Sequence, residues 1–276
     1  MEFPLLSHKA TKLRVCPHGG MGDRLFTVPG LLSVPEAQSC LDYAEFLSFQ
    51  PSNSRGPAYG EAFRDNGRVS VHDPAIAAAL WHDTGLAGLL GSKLRMGGKR
   101  PLGCNPNIRF YRYTAGQRFG RHVDDSVELG PGQCTGYTLL VYLSGMPTTR
   151  PAIHPPTRPT MDSASSSPAS EPSQQALRKK RQPRGAAGIS CKRPSGSGAG
   201  QVQDEVVPLP VCALAEQELV GGETVFYGGR GQVLARVAPE PGLALLHLHG
   251  EECLEHEALL VKSGTKYVLR SDVVFG

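Results

Sequence analysis

Two imidazoles and a carboxylate could gather in this chain around one metal ion. His122-Val123-Asp124 closes the run Arg112-Tyr113-Thr114-Ala115-Gly116-Gln117-Arg118-Phe119-Gly120-Arg121, and His256 comes far downstream, ten residues before Lys266. Two histidines with one carboxylate are the ligand set of the facial triad that holds non-haem Fe(II) and leaves coordination positions open. A cation beyond the last ligand is what a dicarboxylate cosubstrate would need. A β-strand would suit the His-x-Asp pair, because residues i and i+2 share a face. Val123 would then face the opposite layer, and Asp125 would point away to the surface. A lone His-x-Asp is common by chance; its company gives it weight.

The downstream histidine has three candidates. His247 and His249 share a face in Leu243-Ala244-Leu245-Leu246-His247-Leu248-His249 and could mimic a metal pair. The plainer expectation for both is an interior histidine satisfied by hydrogen bonds. His256 is preferred, at an expected strand start, because the spacing to Lys266 would put a cation deep in a barrel on the next strand. Lys266, Val268 and Arg270 alternate onto one face of that strand. An arginine grips a carboxylate bidentately and a lysine acts as a point charge, so the residue types alone do not choose between them. The plain reading of Arg270 is an exposed charge on an edge strand.

These groups need elements to position them. Leu25-Phe26-Thr27-Val28-Pro29-Gly30-Leu31-Leu32 reads as a short strand and turn. Ser33 with Glu36 makes a capping box, and Ala37, Cys40, Leu41, Ala44 and Leu47 follow at helical spacing, so a helix is expected over about 34–48. Asp73-Pro74 is a second helix start, cap then first-turn proline. Between the two helices, Glu61 to Ser70 reads as a polar loop near the site. From Pro101 the segments Asn107–Tyr113, Tyr137–Leu143, Glu223–Tyr227, Leu243–His249 and Lys266–Phe275 are short, β-branched or aromatic, and punctuated by glycine. That is the rhythm of a small barrel or jelly roll, with the preceding helices packed on one sheet as support. Gly221-Gly222 permits a tight turn or a close backbone approach.

Length and composition narrow the class. With 276 residues the chain can bury a substantial core, as one large domain or two small ones. Residues 146–203 are poor in large apolar side chains and hold nine lysines and arginines against two acids, a local excess of seven positive charges. The chain total is +4, so the remainder is net −3. The basic character therefore belongs to this tract, and the mildly acidic remainder argues against nucleic acid as a partner of the core. Such a composition predicts a disordered insertion. Its cluster Arg178–Arg184 reads as a solvated basic tract, with a nuclear-import address as the alternative. Seven scattered cysteines without a Cys-x-x-Cys pair fit reduced thiols. Neither a signal peptide nor a membrane span is evident, so an intracellular protein, cytoplasmic or nuclear and without a membrane partner, is expected.

Asn105-Pro106-Asn107-Ile108-Arg109-Phe110-Tyr111-Arg112-Tyr113 through His122-Val123-Asp124-Asp125-Ser126 resembles the Fe(II)/2-oxoglutarate dioxygenases of the prolyl 4-hydroxylase type. So do Tyr137-Thr138-Leu139-Leu140-Val141-Tyr142-Leu143, Gly221-Gly222-Glu223-Thr224-Val225-Phe226-Tyr227, and His256-Glu257 through Lys266, four blocks in the family's order. The resemblance covers roughly 100–145 and 205–275; the 146–203 tract does not match. It implies an α+β chain: an arm over 1–24, a helical support region over 25–100, and a double-stranded β-helix (jelly roll) over 101–276 interrupted by the insertion. It further implies iron held by His122, Asp124 and His256, and selects Lys266 over Arg270 as the cation for the distal carboxylate of 2-oxoglutarate. Tyr113 is implied as a hydrogen-bonding neighbour of the cosubstrate, with Tyr111 and Thr138 as further candidates.

The implied activity is hydroxylation of an unactivated C–H bond with O2 and 2-oxoglutarate, releasing succinate and CO2, with ascorbate restoring iron oxidised in uncoupled turnovers. Peptidyl proline, in a peptide or protein that could be proline-rich, is the first substrate reading. Segments 55–70 and 125–136 would clamp the peptide. The alternatives are another protein residue, a small molecule, or a catalytically silent binding module of the same fold.

Overall fold

A computed structural model of the chain describes residues 1–7, 13–51, 62–146 and 218–276. The 146–203 tract, its basic cluster and most of the 55–70 segment's first half fall outside the described residues, Met146 apart.

Helix formation follows the capping signals. Ser33 accepts the Glu36 N–H at 3.3 Å while Glu36 Oε2 accepts the Ser33 N–H at 2.9 Å, and α1 runs over Val34–Phe46. Asp73 Oδ1 accepts from Ala75 and Ile76 N–H at 2.8 and 3.1 Å and starts α2, Pro74–Ala78. A π-turn, Ala79–Asp83, continues it, and α3 spans Leu86–Gly91.

Most of the structured chain is sheet. In order the strands are β1 Cys16–Pro17, β2 Leu25–Val28, β3 Gln50–Pro51, β4 Gly67–His72, β5 Pro101–Cys104, β6 Asn107–Tyr113, β7 Phe119–His122 and β8 Glu128–Gly130. There follow β9 Gln133–Tyr142, β10 Val220–Gly221, β11 Thr224–Tyr227, β12 Val233–Val237, β13 Ala244–Leu248, β14 His256–Ala258, β15 Val261–Ser263 and β16 Lys266–Phe275. A ten-stranded sheet has the order β1-β2-β13-β9-β16-β6-β4-β3, with β5 on β16 and β8 on β9; a four-stranded sheet has the order β12-β11-β14-β7; β10 pairs β15. All pairings among the described strands are antiparallel.

Strand alternation sorts the large sheet's side chains into two cores. Ile108, Phe110, Leu139, Val141, Ala244, Leu246, Leu269 and Val273 join Ala37, Cys40, Ile76, Leu80, Trp81, Leu86 and Leu90 of the helices in one apolar cluster. The opposite face sends Tyr111, Tyr113, Tyr142, Leu245 and Val268 into a second cluster, shared with Phe119, Phe226, Ala235, Val237 and Ala258 of the small sheet. Burying such side chains is worth roughly 1.5–3 kcal/mol each, and the same alternation aims the polar residues between them at this inner space.

Three sequence expectations need correction. Residues 67–70, read as the end of a loop, belong to β4, because Val69 and Val71 pack against the helix-side core. Arg270, read as an edge charge, lies buried on a central strand, since β16 pairs with β6 on one edge and β9 on the other. Strand β7 stops at His122, so Asp124 lies beyond it, and Val123 is exposed rather than packed in a layer. Asp125 is exposed as expected. Among the described residues no helix is long and apolar enough to cross a membrane.

Candidate metal centre

His122 at the end of β7 and His256 at the start of β14 are register partners, which brings their ring centroids to 4.2 Å. Each imidazole lies against a phenyl ring: Phe119 stacks on His122 at 3.7 Å, and Phe226 stacks on His256 at 5.3 Å. Asp124 is turned towards them by contacts with the distant segment before β14. Its N–H donates to Cys253 Sγ at 3.2 Å and its carbonyl accepts the Gly250 N–H at 2.8 Å. Gly250 has φ +76°, and a Cβ there would stand 2.5 Å from Ser126 Oγ, so the close approach requires glycine.

The ligand atoms of His122, Asp124 and His256 all lie within 4.8 Å of one another. His122 Nε2 is 3.9 Å from Asp124 Oδ1, and His256 Nε2 is 3.7 Å from Oδ2. Nδ1 of His122 faces the Gly120 carbonyl at 2.8 Å and Nδ1 of His256 faces that of Leu254 at 2.9 Å. With Nδ1–H donated to a carbonyl, the Nε2 lone pair is left for a metal. Burial, then repulsion from His256, pulls the His122 pKa down to about 3; burial also lowers that of His256. Burial alone would raise the Asp124 pKa, but Arg270 and the surrounding imidazoles hold it well below the usual carboxylate range. At neutral pH the set is two neutral imidazoles and one carboxylate, the protonation state a divalent ion needs, and it fits a facial-triad metal.

Thr138 and Arg270, both read as cosubstrate candidates, touch the Asp124 carboxylate instead. Thr138 Oγ1 donates to Oδ2 at 2.7 Å, and Arg270 Nη1 donates to Oδ1 at 2.9 Å. Arg270 also holds Asp272 at 3.3 Å, which in turn faces Arg109 at 3.7 Å. Expected to be satisfied by hydrogen bonds, His247 and His249 are so only at Nδ1, facing the Leu248 carbonyl at 3.3 Å and Thr138 Oγ1 at 3.1 Å. Both Nε2 atoms are buried without a partner.

Lys266 lies in register with Tyr113 and is 1% exposed. Its ammonium donates to the Gly222 carbonyl at 2.6 Å and stands 5.2 and 5.5 Å from the ring centroids of Tyr113 and Tyr142. Among the described residues no acid forms an ion pair with it. Burial lowers its pKa to about 7, against a smaller opposing pull from Glu223. Tyr142 escaped the sequence reading as a pocket residue. It sits four positions after Thr138 on the same face of β9, and its hydroxyl donates to Thr224 Oγ1 at 2.7 Å. Face alternation was the signal that could have found it.

No protein-family model matches the sequence, and no curated protein matches it. Solved structures do. A viral collagen prolyl hydroxylase from Paramecium bursaria Chlorella virus 1, in a 2OG complex, gives a TM-score of 0.46 at 15% identity over 92% of this chain and 97% of that one. A prolyl-4-hydroxylase of Pseudomonas putida gives 0.45 at 13% identity over 93% and 92%. A prolyl hydroxylase from Trichoplax adhaerens, solved with a hypoxia inducible factor oxygen degradation domain peptide fragment, gives a TM-score of 0.50 at 13% identity, covering 91% of this chain and 84% of that one. At that identity the likeness fixes the fold alone: mostly sheet with few helices, in the arrangement of the Trichoplax protein.

Proposed function

We propose that this chain is an Fe(II)- and 2-oxoglutarate-dependent dioxygenase, built on a double-stranded β-helix, that hydroxylates an unactivated C–H bond. One observation carries the reading. Three donors, two close in sequence and one far downstream, bring their ligand atoms within 4.8 Å of one another, and Lys266, 1% exposed, forms no ion pair with an acid among the described residues. His122, Asp124 and His256 would hold the metal. Thr138 and Arg270 would fix the carboxylate, the kind of outer-sphere support whose loss costs about 10–100-fold in metal affinity or activity. Lys266, backed by Tyr113, would take the distal carboxylate of 2-oxoglutarate. When bound, iron would supply oxidation of the substrate C–H to C–OH by O2, coupled to decarboxylation of 2-oxoglutarate to succinate and CO2. Ascorbate would keep the iron reduced.

Peptidyl proline is the first substrate reading, resting on the block resemblance; the peptide fragment solved with the Trichoplax protein supports a peptide substrate. A second reading, another protein residue or a small molecule, is favoured by Arg68. This arginine shares β4's inner face, in register with Tyr111, and its guanidinium has no hydrogen-bond or ion-pair partner among the described residues. Burial lowers its pKa, and Arg109, Arg64 and Arg270 add to the fall while Tyr111 opposes it. Unspent positive charge there suits a carboxylate on the substrate.

The test is succinate release from 2-oxoglutarate with Fe(II), run against proline-rich peptides and acidic metabolites and read by a product mass gain of one oxygen. His122→Ala should lower turnover by at least about 100-fold; full turnover in that variant would reject the iron site.

A further inference from the structure

Three imidazoles, not two, aim Nε2 at the Asp124 carboxylate. The third belongs to His247, whose Nε2 is 3.6 Å from Oδ2, against 3.7 Å for His256 and 3.9 Å to Oδ1 for His122. His122 and His256 come from the small sheet, and His247 comes from β13 of the large one. All three rings share one arrangement, with Nδ1 on a backbone carbonyl. His247 also falls with Cys253 and His256 in a second set whose donor atoms lie within 4.8 Å of one another.

The environment of His247 gives a histidine no other use. It is 1% exposed, edge-on to Phe226 at 5.2 Å and 4.5 Å from the His256 ring, and its Nε2 has no hydrogen-bond partner. A buried polar atom left unsatisfied costs about 1–3 kcal/mol, which an apolar side chain of similar size would avoid. Support of Asp124 by an Nε2–H bond does not explain it either. The 3.6 Å separation is too long for a hydrogen bond, and Nδ1 already faces the better-placed acceptor.

We infer that His247 is a fourth protein donor to the metal in the absence of cosubstrate, making the resting centre a three-histidine, one-carboxylate site. The inference rests on the iron-site reading above. Three protein donors on a six-coordinate ion leave three positions, and a chelating 2-oxo acid together with O2 requires all of them. With His247 attached only two remain, enough for the chelating 2-oxo acid but none for O2, so His247 must let go before O2 can bind. The residue thus acts as an internal stopper, occupying the O2 position of the cosubstrate-loaded ion until it lets go. A third imidazole also favours nitrogen-preferring ions such as Ni(II) and Cu(II) over Mn(II).

The probe is Cu(II) on the metal-free full chain, read by the number of nitrogen hyperfine couplings in electron paramagnetic resonance. Wild type should show three. His247→Phe, which fills the same space, and His247→Gln, which keeps a polar group, should both show two. Either variant should also bind Cu(II) about tenfold or more weakly, with circular dichroism confirming that each is folded. Two couplings in wild type, or three retained in both variants, overturn the inference while leaving the iron site standing. A sulfur-to-copper charge-transfer band would move the fourth donor to Cys253 and overturn it equally. Failure of wild type to bind Cu(II), or binding unchanged in His122→Ala, sinks the iron-site reading itself.

Discussion

Lys266 shows how a single side chain can tie cosubstrate binding to pH. In the free protein its ammonium is half neutral near pH 7, because burial removes the water that would stabilise the charge. A dicarboxylate needs the charged form and would raise the pKa again, so binding above pH 7 must take up a proton. The affinity for 2-oxoglutarate should be flat below about pH 7 and weaken roughly tenfold per unit from about pH 7 to 9. Anaerobic calorimetry in two buffers of different ionisation heat would read both the slope and the proton; Lys266→Arg should flatten it. A pH-independent wild-type affinity would remove Lys266 from the role. The same lysine acts on stability. Unfolded, it keeps its proton to about 10.5, and folded only to about 7, so the free protein's stability should rise with pH between these values. The sequence could not choose between Lys266 and Arg270, since both point the same way from β16. What separates them is company: Asp124 and Asp272 neutralise Arg270, and no acid pairs with Lys266 among the described residues.

At the scale of elements, the turn at Gly221-Gly222 sets where that lysine can lie. Both glycines have positive φ, +82° and +73°, and a Cβ on Gly222 would stand 3.1 Å from Lys266 Cδ and from Val261 Cγ2. Gly222→Ala should destabilise the chain by about 1–2 kcal/mol through its left-handed backbone. It should also raise the 2-oxoglutarate KM several-fold while Mn(II) affinity stays unchanged. Equal losses in both measurements would mean that the turn supports the whole site instead of the lysine alone. Helix starts at Ser33 and Asp73 were legible because capping is local chemistry, and β6, β9 and β16 were legible as β-branched and aromatic runs punctuated by glycine. The end of β7 at His122 was not. Asp124 is placed by Cys253 and Gly250, and no local pattern around His122 reports contacts so far along the chain. Strand β4 was hidden for a related reason: its Arg68 and Ser70 look like loop residues until an inner polar face is known to exist.

Considered whole, the molecule draws its metal site and the side chains around it from both sheets. His122 and His256 project from the four-stranded sheet, while Thr138, Arg270 and His247 come from the ten-stranded one. An ion bound between them should tie the layers together. At a free concentration of about 100 times its dissociation constant it would add about 2.7 kcal/mol, and in a chain of this size that is about 5–10 °C in Tm. Differential scanning fluorimetry with Mn(II), before and after a chelator, measures the gain, and Asp124→Ala should lose it. A wild-type Tm indifferent to both additions would mean that no ion joins the sheets. The phenyl rings of Phe119 and Phe226 carry one more consequence. Imidazoles clamped flat against them have little freedom to swing, so the opening between their nitrogens is a gauge of fixed bore. Calcium prefers six to eight oxygens at roughly 2.3–2.6 Å and would meet a hole of the wrong size and the wrong element, so a surge in that ion should leave this protein unmoved.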